Sequence, residues 1–203
     1  MNVKYRYLIT AALAVFIALP AVAGDSSKYR TVNSSIKIGA NNKAGDLGSV
    51  NGSITVGDGS LVGSIGSVNG SIKVGNDVTV DGDIEAVNGA ITLRSGCDVG
   101  GYIETVNGGV RVENTKVAGN IETVNGGLNI LDGSEVTGNV VVRKPGGWSW
   151  GTNSRRKPVR VEIGENVVVH GDLVFEHAVE LRLHDSAKVG EIIGDEVEII
   201  SGP

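Results

Sequence analysis

The sequence predicts an all-β fold, a single-stranded parallel β-helix of about nine coils of 18–19 residues. Three observations predict it. A block of the form Val-Asn-Gly recurs at a nearly constant interval, the apolar residues within each unit lie two apart, and glycine is abundant while aromatics are scarce. The 203-residue chain contains 31 glycines, and Phe, Trp and Tyr together make up 4% of it. A core of large rings is therefore excluded, and β-branched and other aliphatic side chains must fill the interior.

The repeat carries three independent rulers. TVNSSIKI, SVNGSITV, SVNGSIKV, AVNGAITL, TVNGGVRV and TVNGGLNI follow one another, with their valines at Val32, Val50, Val68, Val87, Val106 and Val124. The first apolar residue after each turn gives Ile36, Ile54, Ile72, Ile91, Val110 and Leu128. The other half of each unit gives Ile65, Ile84, Ile103, Ile121 and Val140. All three keep the same step. Within a unit, Ile72-Lys73-Val74 and Val78-Thr79-Val80 alternate as strands do, one side chain inward and the next outward. Helix is excluded by the frequency of glycine and by the lack of an apolar stripe at three- and four-residue spacing.

Asn-Gly between two strands ordinarily signals a hairpin, but antiparallel pairing would not produce a constant period. One coil per unit, with three short strands and three corners, does produce it. Equivalent residues then stack about 4.8 Å apart along the axis, and nine coils make a rod roughly 43 Å long. Right-handed winding is favoured by the handedness of parallel crossovers, with a left-handed hexapeptide-type prism as the rival.

The C-terminal part rejoins the period once an insertion of about 15 residues is removed between Val142 and Val161. Val161 then follows Leu128, and Leu173 follows Val140, each by 33 positions. Coils resume through Leu181, and Val197 supplies the ninth mark of the post-turn ruler.

The N-terminus reads as an export signal. A basic start (Lys4, Arg6), an apolar run to Pro20 and the small residues Ala21-Val22-Ala23 place cleavage before Gly24. Removing 23 residues and two cations from a chain of net charge −5 leaves 180 residues with a net charge of −7. The organisation expected is thus a signal peptide (1–23), a short segment (24–30), coils (31–142), the insertion (143–160) and further coils (161–203). Export to the periplasm or cell surface of a bacterium follows. The acidic balance argues against nucleic acid as a partner. The lone Cys97 excludes an internal disulfide and is expected to be a small buried filler.

Two columns and one loop stand out. Asn51, Asn69, Asn88, Asn107 and Asn125 share a corner, where stacked amides can bond from coil to coil. Asparagine there, and the glycine after it, are expected to supply a left-handed backbone. Glu85, Glu104 and Glu122 share another column, expected to be a solvated face with the carboxylates splayed apart, the alternative being a bound cation that offsets their repulsion. The insertion, RKPGGWSWGTNSRRKPVR, holds both tryptophans of the chain, six bases and no acid. The rest of the mature chain holds ten bases against 23 acids. Trp148 and Trp150 can stack on sugars, while Arg155, Arg156 and Lys157 can hold phosphate or carboxylate. The competing reading folds the tryptophans back over the side wall. His170, His177 and His184 fall on different columns, no metal or cofactor is implied, and no nucleophile or phosphate-loop motif is present.

The serial TVNG and SVNG units over 31–142 resemble the β-helical adhesin family of bacteria, a domain of otherwise unknown function. The phrases GNIETV, VTGNVVV and GENVVVHGDLVF also resemble bactofilins, which are compact right-handed β-helices that join end to end. The resemblance implies a fold and no catalytic residues. Together these readings give an exported, non-catalytic structural or adhesin-like rod, able to self-associate through unpaired strand edges at its ends. The alternative is a binding module for anionic glycan or lipopolysaccharide, and behind it a polysaccharide hydrolase or lyase.

Overall fold

The computed structural model describes residues 28–145, 157–194 and 196–201. The strands in it assemble into three parallel sheets that run side by side along one axis. The first sheet has nine strands, from Tyr29–Thr31 to Ile192–Ile193, and the second has nine, from Ile36–Ile38 to Val197–Ser201. The third has six, from Leu61–Val62 to Val168–Val169, and single bridges from Lys43 and Lys188 extend it by one rung at each end. The chain visits first, second and third sheet in turn. It completes eight coils and adds the first two strands of a ninth. This is a parallel β-helix.

Register follows the rulers. In the first sheet Leu47, Ile65, Ile84, Ile103, Ile121, Val140 and Leu173 are successive partners, all buried. In the second, Ile54, Ile72, Ile91, Val110, Leu128, Val161 and Leu181 form the matching column. In the third, Val62, Val80, Val99, Val117, Val136 and Val169 close the triangle. Each fully buried Val, Leu or Ile contributes about 1.5–3 kcal/mol relative to exposure, so the columns are the main source of cohesion. Cys97 fills the same core, with Sγ against the Gly75 carbonyl. One mark of the ruler moves. Val197 pairs with Val179, so Ile199 is the residue in register with Leu181. The last strand begins at Val197 as the sequence count has it, but its register against the preceding coil is shifted by two residues.

Each corner has its own device. At the corner between first and second sheets the Asn side chains form a one-way ladder. Nδ2 of Asn51, Asn69, Asn88, Asn107 and Asn125 donates to Oδ1 of the asparagine one coil before, at 2.8–2.9 Å, starting from Asn33. The backbone there is not left-handed, contrary to the expectation from Asn-Gly: neither these asparagines nor the following glycines have positive φ. The glycines are needed for close stacking instead. A Cβ on Gly52 would lie 2.1 Å from the Ser34 carbonyl oxygen, and one on Gly126 would lie 1.8 Å from that of Gly108. Left-handed backbone occurs at the next corner, in the column Asn41, Gly59, Asp77, Gly96, Asn114, Gly133 and Asn166, with Asp132 beside Gly133 also left-handed.

The third corner is capped by side chains that accept from the next coil. Asp46 Oδ1 accepts from Ser64 N, Ser64 Oγ from Asp83 N, and Asp83 Oδ1 from Tyr102 N. The series resumes with Asn120, Asn139 and Asp172. It breaks at Tyr102, whose ring cannot accept from the coil above it.

Candidate functional site

The insertion leaves the first sheet after Val140–Val142 and re-enters the second at Val159–Ile163, so both stems stand at one corner. The flanking coils pair as though nothing intervened, with Leu128 against Val161 and Val140 against Leu173. This corner is where the Asn ladder stops. Thr123 pairs with Val142, which puts Lys144 at the position that Asn125 occupies one coil earlier.

The first stem is tied down by charge. Arg143 Nε lies 2.6 Å from Glu122 Oε2, and its guanidinium is 3.8 Å from Glu176 Oε1. The Lys144 backbone N–H donates to Glu176 Oε2 at 2.9 Å. At the second stem Arg160 meets Glu180 at 3.7 Å, but its side chain is 84% exposed. Screening leaves such an exposed pair little weight. Lys157 is exposed. Trp148, Trp150, Arg155 and Arg156 lie outside the described residues. Of the six bases counted as one cationic loop, Arg143 is therefore a wall residue, neutralised by carboxylates of the coils below and above.

Those carboxylates overturn the expectation of a solvated acidic face. Glu85, Glu104 and Glu122 sit on adjacent strands in strict register, yet Glu122 is 8% exposed and the other two are half-buried. Each is handled differently. The Tyr102 hydroxyl donates to Glu85 Oε1. Glu122 takes Asn120 Nδ2 at 2.9 Å on one oxygen and Arg143 on the other. Glu104, between them, keeps a buried Oε1 with no hydrogen-bond partner. Burial, then the charges of Glu122 and Glu85, push the Glu104 carboxyl up to about 7, with Arg143 pulling the other way. Burial also raises Glu85, and burial together with Glu85 raises the Tyr102 hydroxyl. Glu104, at the centre of the column, is the carboxyl that burial and its neighbours' charges push toward the neutral form.

The histidines serve three separate contacts. His170 Nε2 lies 2.8 Å from Glu135, which lowers the Glu135 carboxyl; His184 Nδ1 meets Ser186; His177 meets the Val124 carbonyl. Among the described residues no three His, Cys, Asp or Glu side chains are grouped to hold a metal ion.

Sequence reasoning missed the Glu122–Arg143–Glu176 cluster. Its signal was a register coincidence: Arg143 follows Val142, whose partners one coil away in each direction are Thr123 and Phe175. The residues beside those partners in sequence include Glu122 and Glu176. No family model, curated protein or solved structure was found to match the chain.

Proposed function

We propose that the chain is an exported, non-catalytic structural or adhesin-like β-helix of a bacterial envelope, and that it presents segment 143–160 at a fixed point on a rigid rod. One observation carries this reading. The coils close in register across the insertion while the first stem is fixed by Arg143, Glu122 and Glu176. Coils that pair in register across an insertion do not need it for their pairing, which supports a role for the segment in contact. Capture from a bacterial envelope extract tests it, comparing the intact chain with one in which 146–156 is cut to a short turn. The intact chain should retain a partner that the shortened chain does not. Equal capture by both would overturn the reading. Mass spectrometry of the exported protein should find Gly24 at its start.

A second reading makes the partner an anionic glycan or lipopolysaccharide, held by Trp148, Trp150, Arg155, Arg156 and Lys157. The exposure of Lys157, against the wall-bound state of Arg143, favours it. Replacing both tryptophans with alanine should abolish salt-sensitive lipopolysaccharide binding and leave the melting temperature nearly unchanged. A large loss of stability, with no binding by the parent, would make the tryptophans part of the wall.

A further inference from the structure

The outward face of the second sheet has a charge pattern unlike the rest of this acidic chain. Register places Lys37, Thr55, Lys73, Thr92, Arg111 and Asn129 in one column, a residue per coil. Cations thus recur on every second rung, about 9.6 Å apart. Lys37, Lys73 and Arg111 are exposed, and Arg94 adds a fourth exposed cation beside Thr92. On the outward face of the first five of these six strands the one carboxylate is Glu113, which pairs with Arg111 at 2.5 Å; beyond Asn129 the column continues to Glu162 and Arg182. Lys37 and Lys73 have no ion pair among the described residues. Ser35, Ser53, Ser71, Ala90 and Gly109 flank the column, so no bulky side chain interrupts it. The exposed Asn ladder runs parallel to it at the adjoining corner and ends where the insertion begins.

We propose that this face is a track for a linear acidic polysaccharide that carries a carboxylate on every second sugar. The proposal goes beyond the loop reading above: it places an anionic glycan on the sheet face and names the ligand class. Two rungs match the length of a disaccharide in an extended chain, so Lys37 and Lys73, and Arg111 in exchange for Glu113, would each meet one carboxylate. Thr55 and Thr92, between the cations, suit the hydroxyls of the neutral sugars. A spacing near the Debye length also keeps the cations from repelling one another strongly. A nucleic acid fits worse. In a duplex the phosphates of one strand come about every 3.4 Å of helix axis, three for each cation here. The face also lacks the aromatic side chains on which bases stack.

The test uses the full chain and four probes: hyaluronan, in which acidic and neutral sugars alternate, polygalacturonate, dextran and a single-stranded DNA oligomer. Hyaluronan should bind and dextran should not. Lys37→Gln, Lys73→Gln and Arg111→Gln combined should weaken hyaluronan binding at least tenfold at an unchanged melting temperature. Thr55→Lys with Thr92→Lys, which puts a cation on every rung, should shift preference toward polygalacturonate. Shortening the insertion should leave most of the hyaluronan affinity. If it abolishes binding while the triple variant binds like the parent, the loop reading stands and the track falls. If the triple variant loses binding while the shortened chain keeps it, the track stands and the loop reading falls. DNA or polygalacturonate binding the parent as tightly as hyaluronan, or no probe binding at all, would also overturn the track.

Discussion

His177 Nε2 donates to the carbonyl of Val124 at 3.2 Å, across 53 positions and two coils. The reason lies in the coil between them. In each earlier coil the backbone N–H of the corner asparagine bonds the carbonyl one rung down: Asn51 to Val32, Asn69 to Val50, Asn88 to Val68, Asn107 to Val87, Asn125 to Val106. The next donor in that series is Lys144, whose N–H turns instead to Glu176. The Val124 carbonyl loses its usual partner at the insertion, and the imidazole of the following coil supplies the missing donor.

Replacing His177 with phenylalanine should therefore cost about 1–3 kcal/mol, the penalty for leaving a buried acceptor unpaired. Thermal unfolding measures it. His177→Asn, which keeps a side-chain donor at that position, should recover part of the loss. Equal stability of His177→Phe and the parent would mean that water serves the carbonyl.

Glu104 gives a pH dependence with a definite sign. Its folded value of about 7 exceeds the ordinary glutamate value of 4.5, so the folded state binds this proton more tightly than the unfolded state. The associated stability is complete below about 4.5 and is lost as pH rises toward and through 7. Glu104→Gln should flatten that decline and stabilise the protein at pH 8 by about 1–2 kcal/mol, once solvent screening of a half-buried group is allowed for. Arg143→Gln should move the midpoint further up, because Arg143 is the charge that opposes the rise. Denaturant unfolding from pH 4 to 9 reads both effects. A parent profile that is flat over this range would contradict the assignment.

Gly126 and Gly133 should respond oppositely to substitution. A Cβ at Gly126 meets the Gly108 carbonyl oxygen at 1.8 Å, so Gly126→Ala forces two coils apart and should cost about 3 kcal/mol. Gly133 has φ +72° and nothing nearer to its Cβ position than 4.0 Å, so Gly133→Asn should be tolerated. Asparagine and aspartate already hold that conformation at Asn41, Asp77, Asn114 and Asn166. Comparing melting temperatures of the two variants distinguishes stacking from backbone handedness as the use of glycine.

Ile103 is fully buried between Ile84 and Ile121 in the middle of the first sheet. Ile103→Asp buries an unpaired charge and should cost several kcal/mol, partly relieved by protonation or by opening of neighbouring coils. An unchanged melting temperature would contradict the register.

The rulers made the coils legible because a parallel stack repeats one pattern, and Ile65, Ile84, Ile103, Ile121 and Val140 each begin a first-sheet strand. The left-handed corner was harder to see. Its column mixes Asn, Gly and Asp, so no single letter recurs, although the spacing of 18 and 19 is the same. The use of Asn-Gly was misjudged because proximity to the coil below, rather than φ, decides it. The Glu column looked solvated because stacked carboxylates repel. Tyr102, Asn120 and Arg143, which make burial tolerable, reach it from corners rather than from the column itself.

The asparagine ladder gives the rod an electrical direction. Every amide in it donates toward the N-terminal end, so their dipoles add along the axis, whereas contributions from a pleated strand largely cancel. The series has its positive pole at Asn33 and its negative pole at Asn125, and Lys144 stands one position beyond that negative pole. Reversing a single amide would set two dipoles head to head and divide the axis into opposed halves. Inserting or deleting a whole Val-Asn-Gly coil would leave the direction intact. Growth or loss of such a rod by whole units therefore preserves its polarity, and with it the pole that faces the cationic corner.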